Sequence, residues 1–215
     1  MVKELRITEI FHSLQGESAT VGRPTVFVRL TGCPLRCGYC DSEYAFHGGQ
    51  KFRVSEIVQK VEDYSCPFVC VTGGEPLAQS NVSELLTQLC DRGLSVSLET
   101  SGAMSIESVD PRVVVVMDLK TPGSKEADKN LYRNLDLLKP IDQIKFVLCN
   151  EEDYQWAKFK IDEFRLNERV SDVLMSPSHG ELKPKSLADW IVKDGLNVRF
   201  QIQLHKILWG DVPGV

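Results

Sequence analysis

The sequence predicts an α/β fold, a partial (βα) barrel on parallel strands, and three observations predict it. Short apolar runs alternate with stretches of helical periodicity, the pattern of strands joined by crossover helices. Clusters of glycine and polar residues follow those runs directly, as at Gly73–Gly74, Glu99–Ser101 and Asp118–Lys120. In such folds ligands gather at the C-terminal ends of the strands. The length, 215 residues, is short of the about 250 that a complete eight-fold barrel takes.

Val26–Thr31 reads as the first strand, with Arg29 inside it. Val54–Glu62 carries apolar residues at Val54, Ile57, Val58 and Val61, the spacing of one helix face. Phe68–Thr72 is a strand that stops at the two glycines. Asn81 with Glu84 forms a capping-box pattern opening a helix to about Cys90. Val96–Glu99 is a strand, and Val113–Met117 is a β-branched run expected to be covered on both faces. Ile144–Leu148 follows. Asn150 then caps a helix whose first turn holds Glu151, Glu152 and Asp153, favourable at the positive end of the helix dipole. Tyr154, Ala157, Ile161 and Phe164 are its buried stripe. Val173–Met175 and Val198–Leu204 close the strand series, with a helix over Ser186–Lys193 between them.

With 42% hydrophobic residues the chain can bury one substantial core, and residues 1–215 are expected to form a single domain. A net charge of −5 without a basic patch argues against direct nucleic-acid binding. No apolar run approaches the roughly 20 residues that span a bilayer. The segment VKELRITEI after Met1 lacks the apolar stretch of a secretory signal. The expected location is the cytoplasm, where seven cysteines stay reduced rather than forming a disulfide framework.

The strongest motif is CxxxCxxC, Cys33, Cys37 and Cys40 within TGCPLRCGYCDSEYAF. A closed structural zinc site takes four ligands. Three thiolates on one short loop suit an iron–sulfur cluster whose remaining iron is open to a ligand. Tyr39 offers an aromatic face beside it. Buried core cysteines, or a zinc knuckle completed by His47, are the other readings of these residues. In Thr72-Gly73-Gly74-Glu75-Pro76 the glycines allow close main-chain approach, and a carboxylate beside them can hold an ammonium group. Leu14-Gln15-Gly16-Glu17 supplies donors and acceptors, though by itself it is only a polar loop. Arg29, in VFVRL, needs a partner if it is buried. His205 follows the last predicted strand. Cys66, Cys70, Cys90 and Cys149 read as buried apolar thiols.

The cysteine loop resembles that of the radical S-adenosylmethionine superfamily. ITEIFHSLQGES, CDSEYAF and VTGGEPL together resemble the 7-carboxy-7-deazaguanine synthases, from Glu9 to about Lys206. The resemblance implies a modified radical SAM core, one [4Fe-4S] cluster on Cys33, Cys37 and Cys40, S-adenosyl-L-methionine and Mg²⁺. It implies a lyase that contracts the ring of 6-carboxy-5,6,7,8-tetrahydropterin with loss of ammonia, on the queuosine route of tRNA modification. It places S-adenosylmethionine on Tyr39, Gly73, Gly74 and Glu75. Glu99, Asp118, Lys120, Ser176, Pro177, Ser178 and His179 are further candidates for that cofactor. It places substrate on Leu14, Gln15, Gly16, Glu17, Arg29 and Thr72, with His205 and Val215 near it, and Mg²⁺ on Ser42. No residue is implied as a protein acid or base. Ser42 stands where the family often has Thr, and Asp118 where it often has Ser. A homodimer and an electron donor such as flavodoxin or ferredoxin are the implied partners. A glycyl-radical activating enzyme, which shares CxxxCxxC but acts on a protein, and a non-catalytic zinc-binding module are the alternatives.

Overall fold

Strand polarity and side-chain alternation decide where the chemistry of this chain is gathered. The structure, a computed structural model, describes residues 3–210, 212 and 214. Its strands are β1 (Glu4–Leu14), β2 (Pro24–Leu30), β3 (Gln50–Arg53), β4 (Phe68–Gly73), β5 (Ser95–Thr100), β6 (Val114–Asp118), β7 (Gln143–Leu148), β8 (Asp172–Pro177) and β9 (Arg199–Phe200). They form one sheet in the order β3-β1-β2-β4-β5-β6-β7-β8-β9. From β2 to β9 every neighbouring pair is parallel, whereas β1 runs antiparallel to both β2 and β3. The end strands β3 and β9 do not meet, so the barrel is unclosed.

Successive strand residues point to opposite faces, and the two faces differ in kind. On the outer face Val26, Val28, Leu30, Val69, Val71 and Leu98 pack against helices α1 (Val54–Glu62) and α2 (Val82–Asp91). Further along, Met117, Ile144, Phe146, Leu148 and Met175 pack against α3 (Glu151–Phe164) and α4 (Pro184–Asp194). The inner face carries Arg29, Thr72, Glu99, Asp118, Lys145 and Ser176. Arg29 is level with Thr72, Asp118 with Lys145, and Val147 with Ser176. The outer face supplies most of the apolar burial; the inner face carries these polar groups beside Phe27, Cys70 and Val147.

Most predicted elements are present. The helix over Val54–Glu62 coincides with α1, and its four apolar positions are buried. Val113, Val115, Val116 and Met117 are all buried, as a strand covered on both faces requires. Asn150 caps α3 by accepting from the Asp153 amide at 2.9 Å. Phe164 completes its stripe only as a partly buried residue.

Several expectations are corrected. The sheet is not wholly parallel, because β1 and β3 add an antiparallel edge that the sequence reading missed. A register shift between Ile7 and Glu9 breaks the period-two signal of β1, and β3 is a short polar edge strand. The crossovers after β5 and β6 hold no α-helix. The β6–β7 crossover instead holds the 3₁₀ turns Pro122–Ser124, Ala127–Lys129 and Tyr132–Asp136, a stretch opened by proline and glycine. The Asn81 side chain does not cap α2; its amide donates to the Glu4 carbonyl instead. The predicted strand Val198–Leu204 shrinks to two residues, and Leu204–Trp209 forms the short helix α5. Alternation in VRFQIQL favours a strand, but the Leu204 amide is drawn to the Gly16 carbonyl across the barrel mouth at 3.1 Å. Cys149 is half-buried, not enclosed. No helix among the described residues is long and apolar enough to cross a membrane.

Phe146 is fully buried and meets the Trp156 ring edge-on at 6.3 Å. Phe146→Ala is expected to lower the unfolding free energy by about 3–5 kcal/mol, read as a lower midpoint in urea unfolding.

Candidate active site

The strand ends described above surround one cavity of about 300 Å³. Every site residue predicted from the sequence lines it except two. Val215 lies outside the described residues, and Glu75 has a different task.

The three cysteines lie on the loop after β2, half-buried and facing this cavity. The loop is tied down by backbone bonds. The Gly38 amide donates to the Ser124 carbonyl at 3.1 Å, and the Arg36 guanidinium to the Cys33 carbonyl at 2.8 Å. Burial raises all three thiols above their ordinary value, and the Lys120 ammonium opposes that rise for each of them. Lys120 is therefore the cation shared by the whole loop. It also pairs with Asp118 at 2.7 Å and sits 5.7 Å from the centre of the Tyr39 ring. Burial raises the Tyr39 hydroxyl as well, so the ring stays neutral.

Thr72 and Gly73 end β4, and with Gly74 they pass close under the cysteine loop. A Cβ on Gly73, whose φ is +147°, would lie 2.3 Å from the Leu30 carbonyl oxygen, and one on Gly74 2.2 Å from that of Gly32. Only glycines let the two segments touch. Glu75 departs from the expectation that it holds a ligand ammonium. Its carboxylate is fully buried and accepts from the Leu77 amide (2.9 Å), the Ser101 amide (2.7 Å), and the Thr100 and Ser101 hydroxyls. The three donors from Thr100 and Ser101 clamp the end of β5 to the glycine turn, and Glu75 does not line the cavity.

The segment Leu14–Glu17 forms the opposite wall. Gln15 is buried and pinned by backbone bonds to Arg23 and Gly22, both 2.8 Å. Glu17 pairs with Lys145 at 2.8 Å. Lys145 also reaches Glu99 at 3.2 Å and Asp118 at 3.7 Å. It was missed from the sequence, although it stands in the apolar strand IKFVL as Arg29 stands in VFVRL. The argument that singled out Arg29 applies to it unchanged.

Burial, with the neighbouring Glu17 and Asp118 charges, pushes Glu99 up to about 7 against the pull of Lys145. The partner Lys145 is raised well above its ordinary value by the same three carboxylates. Glu99 thus shares the Lys145 ammonium with Glu17.

Arg29 has its predicted partner, and that partner is protein. Its Nε donates to Glu9 at 2.7 Å, and the Tyr44 hydroxyl donates to the same oxygen at 2.8 Å. The outer edge of the guanidinium is left for an anion. His205 lies in the first turn of α5, not beyond a strand, with its ring over Gly16. Burial lowers its pKa, keeping the imidazole neutral. Ser42 donates to Asp41 at 2.9 Å. Ser176, Pro177, Ser178 and the exposed His179 close the rim.

The cavity fits bound groups of the kind the motifs imply. Glu99 Oε1, Asp118 Oδ1, Ser176 Oγ and Ser178 Oγ are buried without hydrogen-bond partners, and all four residues line it. Buried polar atoms are seldom left so; a polar ligand would satisfy them. Three soft thiolates on one loop are donors for an iron–sulfur cluster.

Comparison with known proteins agrees with this arrangement. Residues 27–130 match the model of the Radical SAM superfamily. The chain is 43% identical to the 7-carboxy-7-deazaguanine synthase of Chlorobaculum tepidum, over 98% of this chain and 97% of that protein. It is 41% identical to that of Koribacter versatilis, over 95% and 97%. The crystal structure of QueE from Escherichia coli superposes with a TM-score of 0.79 at 21% identity, covering 94% of this chain and 95% of that one, which shows the same fold. On this identity and coverage the chain belongs to the 7-carboxy-7-deazaguanine synthase family of radical SAM proteins.

Proposed function

We propose that this chain converts 6-carboxy-5,6,7,8-tetrahydropterin to 7-carboxy-7-deazaguanine with loss of ammonia, using S-adenosylmethionine and a [4Fe-4S] cluster. One observation carries the reading. The cysteine triplet, the glycine turn and the Leu14–Glu17 segment, distant in sequence, line one cavity in a chain 43% identical to such a synthase.

When bound, the cluster and S-adenosylmethionine supply one-electron cleavage of the sulfonium and hence the radical chemistry. The protein supplies positioning. Cys33, Cys37 and Cys40 would hold the cluster, and Lys120 sets a positive charge beside it. Gly73 and Gly74 leave main-chain groups open to the methionyl end of the cofactor. Arg29, its Nε taken by Glu9, presents its free edge to the substrate carboxylate, while Gln15 and Glu17 present acceptors to the ring. Ser42 offers a hydroxyl oxygen to Mg²⁺, whose other ligands would be the substrate carboxylate and water. Phe11, Phe27 and Phe46 on the cavity wall restrict water around the ring.

The broader setting follows from the same reading. One continuous sheet supports a single domain over residues 1–215. Seven reduced thiols suit the cytoplasm, and the reaction calls for an electron donor such as flavodoxin or ferredoxin. The family resemblance supports a homodimer.

Anaerobic incubation of reconstituted protein with the pterin, S-adenosylmethionine and a reductant should yield the deazaguanine acid and 5′-deoxyadenosine by mass analysis. Absence of the acid from protein that cleaves S-adenosylmethionine would refute the substrate assignment. Cys37→Ala should abolish that cleavage and lower bound iron; cleavage at the wild-type rate removes Cys37 from the ligand set.

Glu99 gives a pH dependence of defined sign. Its pKa rises from 4.5 to about 7 on folding, so its contribution to stability is complete at acid pH and is lost as pH rises through 7. Relative to Glu99→Gln, the wild type should therefore lose stability between pH 5 and 8, read by thermal unfolding at about 0.1 M salt. A constant difference across that range contradicts the assignment.

A further inference from the structure

Gln203 has no role in the reading above, yet it ties the end of the chain to a loop 162 residues away. Its side-chain amide donates to Asp41 Oδ2 at 2.9 Å. The other carboxylate oxygen, Asp41 Oδ1, accepts from the Ser42 hydroxyl at 2.9 Å. One residue further, the Leu204 amide donates to the Gly16 carbonyl at 3.1 Å. The next side chain, His205, lies so close over Gly16 that a Cβ there would come within 2.2 Å of Nδ1. Three consecutive residues thus grip the Ser42 loop and the Gly16 segment together.

We propose that Gln203 is a positioning residue that fixes the cation-holding hydroxyl of Ser42 through Asp41, and in the same turn fixes the substrate segment at Gly16. The identity of the ligands rests on the function proposed above; the geometry does not. A serine hydroxyl rotates more freely than that of threonine, whose methyl group restricts χ1. Here Ser42 spends its hydrogen on Asp41, which turns the oxygen lone pairs away from that carboxylate. A hydroxyl so oriented is a better oxygen ligand, as hydrogen-bonded partners of metal ligands generally are. Asp41 can orient Ser42 only if it is held itself, and Gln203 is the side chain that holds its second oxygen.

β9 is two residues long, and the Gln201 amide makes the last bond to the sheet, to the Met175 carbonyl at 3.0 Å. Among the described residues beyond it, Gln203 bonds to Asp41 and Leu204 to Gly16. Loss of the Gln203 amide should loosen both loops at once, so the affinities for the divalent cation and for the pterin should fall together.

The test is a double-mutant cycle in the reconstituted holoenzyme, with Gln203→Leu, Asp41→Asn and the pair. Gln203→Leu keeps the side-chain bulk and removes the donor. It is expected to raise the pterin KM and the Mg²⁺ concentration for half-maximal rate about tenfold each, a change of about 1.4 kcal/mol. Its kcat should stay within about twofold, the signature of lost uniform binding. Cleavage of S-adenosylmethionine without pterin should be unaltered. The double variant should be no worse than the poorer single one, because both changes remove one interaction. Mn²⁺ binding followed by electron paramagnetic resonance, with pterin present, should weaken by the same factor. An unchanged KM and Mn²⁺ affinity, or effects that add, would overturn the proposal. If the wild type binds the pterin but does not convert it, the reaction assignment fails, and Mn²⁺ binding with pterin present still decides the role of Gln203.

Discussion

A single ammonium group organises the interior of this barrel. Lys145 projects from the middle of β7 and is 8% exposed, with Glu17, Glu99 and Asp118 around it. These carboxylates come from the segment after β1 and from the ends of β5 and β6, so the charge joins parts of the chain that are distant in sequence. A buried ion of either sign is costly unless it is paired. Without the lysine three carboxylates would face one another across the cavity wall. Even with Lys120 on the far side of Asp118, three acids meet two lysines and one negative charge is left over. It falls on Glu99, whose pKa is raised first by burial and then by the Glu17 and Asp118 charges.

The sheet tolerates this concentration of charge because its two faces are separated in function. Alternate residues of the same strands pack outward against α1 to α4, where Ile57, Leu85, Leu86, Phe146 and Tyr154 are fully buried. That apolar burial offsets an inner face whose hydrogen bonding is incomplete without a guest. Glu75 shows the contrast. It belongs to the most conspicuous motif after the cysteines, yet it faces away from the cavity and saturates its carboxylate with protein donors. The neighbouring glycines face the ligand space and need no side chain to do so. Within one turn, the backbone lines the cavity and the side chain serves rigidity.

How much of this was legible in the sequence depended on the range of the interaction that settled each feature. Helices α1 and α3 were readable because their stripes and the Asn150 cap are local. The cysteine loop, the glycine turn and the strand-end clusters were readable because spacing alone brings their atoms together. β1 was not, since a bulge near Thr8 interrupts its alternation. Nor was α5: the local pattern VRFQIQL is that of a strand, and the contact that overrides it reaches across the barrel to Gly16. The partners of Arg29 were hidden for the same reason, Glu9 being opposite it on an antiparallel strand and Tyr44 beyond the cluster loop. Lys145 is different. Its signal was in the sequence, a lysine in an apolar run, and the structure adds only the three acids that answer it.

The Leu14–Glu17 segment joins these strands of the argument. It carries no regular structure beyond Leu14, yet it is held at every residue that follows. Gln15 is bonded through its backbone to Arg23 and Gly22, Gly16 to Leu204, and Glu17 to Lys145. The Ala19 amide, just beyond, donates to the Gln143 side chain at 2.9 Å. A loop restrained on all sides before a ligand arrives has little conformational entropy left to lose on binding, which is the condition for precise placement of a reacting ring. Two of those restraints, from Lys145 and from the C-terminal strap, also touch the charged wall and the Ser42 loop. A shift in either would therefore move the cavity-lining atoms of this segment and the neighbouring groups together, so the site behaves as one unit although its residues come from both ends of the chain.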